Sequence, residues 1–124
     1  MKTAIIIVAD PKSGTEEADG RLFNALALAQ ECKQRGDEVE VAFIGAGTRW
    51  PAELTKLSHP FNALYNSVRE VVKGASRACA TVFGVKDGVE ACGLPLASDN
   101  DLPGTPGLLS VRRYIAEGRS TLVF

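Results

Sequence analysis

The stretch Ala4-Ile5-Ile6-Ile7-Val8-Ala9 is a continuous apolar run in which Ile and Val predominate. β-Branched side chains pack well on a pleated sheet and lose rotamer freedom in a helix. A strand that is apolar at every position, and not only at alternate ones, is typical of a parallel sheet covered on both faces. The run therefore predicts a central, fully buried strand that ends at the polar residue Asp10.

Helix and strand patterns alternate outward from this run, with no internal repeat. Apolar residues recur at helical spacing from Leu22 to Cys32, and Gly36 supplies the stop. The further elements predicted, in order, are a strand at 39–44, a short helix from Pro51, a helix at 61–72, a strand at 76–80, a helix at 82–92, a strand at 94–97, a helix at 108–115 and a strand at 121–124. Parallel strands need crossover connections, so we expect one α/β domain, residues 1–124, with a five-stranded, mostly parallel sheet and helices on both faces.

Such a sheet directs attention to the loops that follow its strands. Ligands of open α/β sheets bind beyond the carboxyl ends of the strands. The loops in question are residues 10–20, residues 45–50, the region of Cys79 and residues 98–107. The last is polar and rich in Pro and Gly, at a length where loops are often functional.

Composition excludes several functional classes. The 124 residues carry 14 Lys and Arg against 15 Asp and Glu, a net charge of −1. This balance argues against a nucleic-acid binder that works by bulk positive charge. The six-residue run at Ala4–Ala9 is too short for a membrane span or a secretory signal. We expect a cytoplasmic protein that binds neither nucleic acid nor membrane.

Three cysteines and one histidine limit the metal and redox chemistry. Cys32, Cys79 and Cys92 form no zinc-type pair and no disulfide framework, so no metal site is expected. Cys32 and Cys92 fall on apolar helix stripes, which predicts core positions. Cys79 is placed just before a predicted helix, where the helix dipole favours the nucleophilic thiolate. Cys79 is therefore the candidate catalytic residue.

The remaining candidates surround this thiol. His59 opens a predicted helix and is the one possible base, provided that the loops bring it close to Cys79. Gly45, Gly47 and Thr48 form a glycine turn that could offer ligand-binding donors. Trp50 and Tyr65 are candidate ligand-binding aromatics, although aromatic residues in such positions are more often part of the core.

Nucleotide motifs fail at specific residues. The first loop, Pro11-Lys12-Ser13-Gly14-Thr15, has its lysine before the glycine and so departs from a P-loop. Gly45-Ala46-Gly47 opens like a dinucleotide fingerprint, but Trp50 occupies the third glycine position. A flavodoxin-like FMN protein fits the topology in outline, yet the first loop lacks a Ser/Thr-rich phosphate cradle. No cofactor is therefore expected.

The order and spacing of several segments resemble the DsrE-like (DsrE/DsrF-like) family of small sulfur-relay-type proteins over almost the whole chain. The matching segments are the opening strand, Gly20-Arg21-Leu22-Phe23-Asn24-Ala25-Leu26, Gly45-Ala46-Gly47-Thr48-Arg49-Trp50, Ser58-His59-Pro60 with Leu64-Tyr65, and Cys79-Ala80-Thr81-Val82-Phe83-Gly84-Val85. The resemblance implies a three-layer α/β/α fold with a five-stranded parallel sheet, commonly assembled into homo-oligomers.

The resemblance also implies a chemistry. In sulfur-relay members a cysteine at the position of Cys79 accepts sulfur as a persulfide and passes it to a partner protein. Similar sequences often carry Cys-x-x-Cys here, whereas this chain has Ser76-Arg77-Ala78-Cys79. The missing first cysteine leaves transfer through one thiol.

Two functional interpretations stay open. In the first, the protein is a sulfur carrier or transferase with Cys79 as nucleophile and His59 assisting proton transfer. In the second, it is a non-catalytic oligomeric binding module that holds a small ligand or a partner's tail in a pocket near Trp50, His59, Tyr65 and Cys79.

Overall fold

The computed structural model describes all residues, 1–124, and contains one five-stranded sheet of order β4-β3-β2-β1-β5 in which every pairing is parallel. The strands are β1 (Lys2–Ile7), β2 (Glu38–Phe43), β3 (Val72–Ser76), β4 (Leu96–Ala97) and β5 (Ser120–Val123). The helices are α1 (Glu16–Gln34), α2 (Trp50–Leu54), α3 (Asn62–Val68), α4 (Arg77–Val82), α5 (Lys86–Ala91) and α6 (Val111–Ala116). The predicted three-layer α/β/α architecture is confirmed.

Strand β1 is central, as its composition predicts. It pairs with β2 on one side and with β5 on the other, and the side chains from Ala4 to Ile7 are fully buried. Alternate residues serve opposite faces of the sheet. Ile5 and Ile7 belong to a core cluster of 19 buried residues, whereas Ala4 and Ile6 belong to a second cluster of five.

The two faces of the sheet are covered very unequally. The larger cluster packs α1, α3 and α5 against one face, together with buried side chains of α2 and α4. The smaller cluster is closed by Leu109 and by Tyr114 of α6, a helix of six residues. The connections that follow β1, β2 and β3 therefore run to one face, and the connection that follows β4 runs to the other.

The third strand lies earlier in the chain than predicted. Strand β3 spans Val72–Ser76, and the predicted strand at 76–80 is wrong because most of it forms helix α4. Gly74 lies within the strand with φ of 152°, where a Cβ would come within 2.6 Å of the Pro95 carbonyl oxygen. Cys79 is consequently the third residue of α4, not a residue before the helix.

Other boundaries moved for local reasons. The predicted helix at 82–92 begins only at Lys86, as α5, because Val82 ends α4 and the turn after it contains Gly84 with φ of +70°. The predicted helix at 108–115 starts at Val111, because Leu108 bridges back to Asn100 and the Ser110 hydroxyl caps the helix. No helix in the chain is both long enough and apolar enough to span a membrane.

Candidate functional site

Cys79 lines a cleft at the carboxyl ends of β3 and β4. The cleft has a volume of about 370 Å³ and is called the Cys79 cleft below. Its lining residues are Ile44, Ser76, Cys79, Asn100, Leu108, Leu109, Ser110, Val111 and Arg112. The chain leaves β3 towards one face of the sheet and leaves β4 towards the other, and such a divergence of loops is where open α/β sheets bind ligands.

Hydrogen bonds between the two diverging connections fix the shape of the Cys79 cleft. The buried Ser76 hydroxyl accepts a hydrogen bond from the Leu109 backbone N–H at 3.1 Å. The Ala78 N–H donates to the Gly107 carbonyl at 3.0 Å. Gly107 has φ of +98°, and a Cβ there would lie 2.9 Å from Ser98, so this close approach of two backbone segments requires glycine.

The Cys79 thiol is half-buried and borders a second, apolar surface. This apolar groove, of about 230 Å³, is lined by Ala78, Cys79, Val82, Phe83, Leu102, Thr105 and Leu108. Val82 is 80% exposed and Leu102 is 47% exposed. The thiol is thus reachable from a cleft that contains polar groups and from an apolar surface.

A second cavity lies at the carboxyl ends of β1 and β2. It has a volume of about 210 Å³ and is called the charged cavity below. Its lining residues are Pro11, Lys12, Asp19, Arg49, Trp50, Glu53 and His59. Cys79 is not among them, and His59 is not in the Cys79 cleft. The structure therefore separates the candidate base from the candidate nucleophile.

An ion pair anchors one wall of the charged cavity. Nη1 of Arg49 donates to both carboxylate oxygens of Asp10, at 3.0 and 2.9 Å. Burial opposes ionisation of Asp10, but the Lys12 backbone N–H and the Arg49 guanidinium outweigh it and lower the pKa of this carboxyl below its usual value. Arg49 also lies over the Phe83 ring, with Cζ 5.0 Å from the ring centroid.

Trp50 and His59 form the other wall. The indole N–H of Trp50 donates to the Ala9 carbonyl at 2.7 Å, which fixes the ring, and Trp50 is almost fully buried. His59 packs edge-on against Trp50 with the ring centroids 6.3 Å apart. Nδ1 of His59 accepts a hydrogen bond from the Phe61 N–H at 3.0 Å. The histidine is thus held in the turn that precedes α3, and the prediction that it opens the helix is wrong because α3 begins at Asn62.

The glycine turn has a packing role. Residues Gly45–Arg49 form a 3₁₀ turn, and a Cβ at Gly47 would overlap the Ile7 carbonyl oxygen. The Gly47 N–H donates to Ile44, and the fully buried Thr48 hydroxyl donates to the Gly45 carbonyl at 2.8 Å. The Gly47 and Thr48 donors are used inside the protein, and neither these residues nor Gly45 line a cavity.

Tyr65 is a core residue and lines no cavity. It is fully buried, its hydroxyl has no hydrogen-bond partner, and burial raises its pKa to about 12. The four residues expected around one pocket are therefore distributed differently: Trp50 and His59 share the charged cavity, Cys79 lines the Cys79 cleft, and Tyr65 lies in the core.

The other two cysteines differ from each other. Cys32 is buried in the core as predicted, and burial raises the pKa of its thiol. The predicted core position of Cys92 is wrong, because the residue lies at the end of α5, half-buried and outside both core clusters, with Sγ 3.6 Å from the Thr55 hydroxyl oxygen. No three His, Cys, Asp or Glu side chains come together as a metal-binding group.

Sequence reasoning identified the right loops but not the polar residues that line the two cavities. Those residues are Lys12, Asp19, Arg49 and Glu53 in the charged cavity and Ser76, Asn100, Ser110 and Arg112 in the Cys79 cleft. Arg112 is exposed on α6 and also borders the cleft. Their position in the sequence could have identified them, because most of these residues follow a strand directly or lie on the next helix.

Comparison with known proteins supports the fold alone. No protein-family model matches the chain. It is 29% identical over 97 residues to an uncharacterized protein of Methanocaldococcus jannaschii, across 78% of this chain and 74% of that protein. A solved structure of a conserved protein of unknown function from Bacteroides thetaiotaomicron superposes with a TM-score of 0.60 at 17% identity, covering 98% of this chain and 94% of the other.

Proposed function

We propose that this protein is a DsrE-like sulfur carrier that accepts persulfide sulfur on Cys79. The observation that carries the proposal is the position of Cys79 in the cleft where the connections after β3 and β4 diverge to opposite faces. Cys32 borders a separate cavity of about 390 Å³ but is only 3% exposed, and Cys92 lines no cavity, so Cys79 is the one half-buried thiol that lines a cavity.

The reaction needs no oxidant. The Cys79 thiolate attacks the terminal sulfur of a donor persulfide, so that a bond forms from Sγ to that sulfur as the donor's S–S bond breaks. The donor leaves as a thiolate, and Cys79 becomes a persulfide. An acceptor thiolate then attacks the terminal sulfur, and the Cys79 thiolate leaves. Each step exchanges one sulfur–sulfur bond for another, so the redox state of the pair of molecules is conserved.

Residues of the cleft supply polar contacts for this exchange. Arg112 is a cation with no ion pair in the protein, and it lies on the cleft wall. The Ser76 hydroxyl accepts from Leu109 and retains its own proton for donation. Both groups favour anionic sulfur species in the cleft. His59 lines the charged cavity instead, so the proposal assigns it no proton-transfer role.

Sulfur transfer of this kind requires partner molecules and a suitable compartment. A one-cysteine carrier needs a donor and an acceptor, and the apolar groove beside Cys79 offers a surface where a protein partner could approach the thiol. A free thiol of this kind functions in a reducing compartment, which favours the cytoplasm. Assembly into a homo-oligomer belongs to the same proposal and rests on the resemblance to DsrE-like proteins.

Mass spectrometry of the protein treated with inorganic polysulfide tests the proposal. We expect the peptide that contains Cys79 to gain the mass of one sulfur atom, with little or no gain on the Cys32 and Cys92 peptides. The Cys79→Ser variant is expected to stay unmodified, and the Cys92→Ser variant is expected to load normally. Equal loading of Cys92, or no loading of Cys79, would overturn the proposal.

The binding-module interpretation remains a second proposal, supported by a separate observation. Trp50 and His59 do line a common cavity, whose other lining residues are mostly charged and do not include Cys79. Binding there is expected to survive Cys79→Ser unchanged, so that variant distinguishes the two functions. Loss of binding in a folded Cys79→Ser protein would contradict a separate binding role.

A further inference from the structure

We propose that the charged cavity binds a small zwitterion of the α-amino acid class, which it recognises through Lys12 and Asp19. This inference rests on the binding role proposed for that cavity and is independent of sulfur transfer at Cys79. It is carried by three observations: a rigid wall, two opposite charges without partners, and a small volume.

The wall is rigid because its side chains are already held by the protein. Arg49 is fixed by Asp10 on one side and by the Phe83 ring on the other. Trp50 is fixed by its bond to Ala9. A binding surface that is ordered before the ligand arrives loses little conformational entropy on binding. Nε of Arg49 is buried with no hydrogen-bond partner, which leaves an N–H donor unsatisfied beside the cavity.

Charge pairing leaves two complementary groups for a ligand. Of the two cations in the cavity, Arg49 is neutralised by Asp10, and of the two acids, Glu53 is paired with Lys56 at 3.0 Å. The Lys12 ammonium and the Asp19 carboxylate form no ion pair or hydrogen bond with another side chain. A ligand that carries one negative and one positive group therefore matches the two unpaired charges, whereas an ion of either sign leaves one of them unmatched.

His59, which lines the same cavity, adds a directional donor. Because Nδ1 accepts from the Phe61 backbone, the neutral ring carries its proton on Nε2, which has no partner in the protein. An N–H at Nε2 and the ammonium of Lys12 are both suited to a carboxylate. Asp19 is suited to an ammonium group.

The size of the cavity restricts the ligand further. A volume of about 210 Å³ is below the roughly 300–1,000 Å³ of pockets that hold drug-sized ligands. Of the lining residues, Lys12 and Asp19 are exposed. Their contacts are therefore screened by water, and we expect a dissociation constant of about 1 mM. A short-chain amino acid fits these limits, and a nucleotide does not.

NMR titration of the ¹⁵N-labelled protein tests the inference. The probe is L-alanine, compared at constant ionic strength with propionate and with ethylammonium, which each carry one of its two charges. We expect saturable shifts of backbone amides at residues 11–19 and 49–59 with L-alanine, and affinity lower by about fivefold or more for each single-charge analogue. Equal binding of propionate, or no saturable shift with L-alanine, would overturn the inference.

Matched variants locate the effect. Lys12→Met and Asp19→Asn are each expected to weaken L-alanine binding by about fivefold, whereas Lys86→Met and Asp87→Asn, which change the same charges on α5, are expected to leave it unchanged. Equal losses in both pairs would indicate nonspecific charge effects and would contradict the site. The same titration on Cys79→Ser separates this inference from the sulfur-carrier proposal. L-alanine binding is expected to be unchanged in this variant, because Cys79 does not line the charged cavity.

Discussion

The Cys79 cleft and the charged cavity lie at the same edge of the sheet but are formed in different ways. The Cys79 cleft follows from topology, because the connections after β3 and β4 leave for opposite faces and open a crevice between them. The charged cavity lies where the connections after β1 and β2 run to the same face. It stays open because Arg49, Trp50 and His59 are held in place individually.

The comparison shows that backbone topology locates a site, whereas side-chain contacts determine what it can hold. The Cys79 cleft would persist through most side-chain changes and carries one reactive group. The charged cavity depends on a few contacts and carries several polar groups. The two regions are therefore expected to respond differently to substitution.

The largest loss of stability is expected where a glycine packs directly against backbone beside the charged cavity. Gly47→Ala places a methyl group against the Ile7 carbonyl at a buried position of the turn beside the charged cavity. We expect a loss of about 3 kcal/mol or more in the free energy of unfolding, because backbone cannot move aside cheaply. Urea denaturation measures this loss. Gly118→Ala is the control, because a Cβ at Gly118 meets no other atom and adds only the strain of its positive φ.

The matching change at the Cys79 cleft is Gly107→Ala, where a Cβ would meet Ser98 at 2.9 Å. We expect a smaller loss, about 2 kcal/mol, because the loop at 98–107 is exposed over most of its length and can shift. If Gly107→Ala costs more than Gly47→Ala, the view that the cleft is the more tolerant region is wrong.

An intermediate effect is expected at Ser76, which ties the two connections of the Cys79 cleft together. Ser76→Ala leaves the Leu109 N–H without its acceptor in a buried place, at a cost of about 1–2 kcal/mol. Sulfur loading of Cys79 is expected to slow as well, since the hydroxyl donor is lost. The control is Ser110→Ala, which removes a helix-capping hydroxyl from the same cleft. Equal slowing of Cys79 loading by both variants would contradict a specific role for Ser76.

A pH-dependent effect is expected at the wall of the charged cavity. The pKa of Asp10 is lowered in the folded protein, so its contact with Arg49 adds stability above the unfolded value of 3.8, and this stability is lost as the pH falls through the lower folded pKa. Asp10→Asn should therefore destabilise the protein at about pH 7 and much less at about pH 2.5. Equal destabilisation at both values would show that the charge of Asp10 is not what matters.

The smallest effect on stability is expected at Arg112, which is exposed and has no ion pair. Arg112→Gln should change the free energy of unfolding by less than about 0.5 kcal/mol. It should nevertheless slow the loading of Cys79 by anionic polysulfide, and added salt should reduce the difference from the unmodified protein. Arg77→Gln, which alters an arginine that does not line the cleft, serves as the control. An equal effect of both changes would contradict a local role for Arg112.

Much of the fold could be predicted from local patterns. The apolar run at 4–9 identified the central strand, and helix spacing identified α1 together with its buried stripe through Cys32. The third strand was misplaced because Val71 and Val72 continue the helical spacing of the preceding residues. From the sequence alone, Gly74 is typical of a helix end, whereas the structure shows that it is needed because the Pro95 backbone packs against it. Such a contact between distant segments leaves no local signal.

The site was predicted in part for the same reason. Its position between a predicted strand and the next predicted helix pointed to Cys79, which does line a cleft, although from within helix α4. Sequence spacing could not test whether Cys79 and His59 share a pocket, because His59 lies between α2 and α3 and Cys79 lies in α4, and only the tertiary packing of these helices sets their separation. No sequence pattern distinguished Lys12 and Asp19, since charged surface residues are common. They stand out only in the structure, where the other two charged residues of the cavity are already paired.

The most direct test of the sulfur-carrier account is a complete relay through Cys79. The protein is loaded with ³⁵S-labelled polysulfide, freed of donor and incubated with glutathione, and the label is followed. The account predicts that the label moves to glutathione persulfide while Cys79 returns to a free thiol, and that Cys79→Ser transfers none. Retention of the label on the protein, release as sulfide with a Cys79–glutathione disulfide, or equal transfer by Cys79→Ser would contradict it.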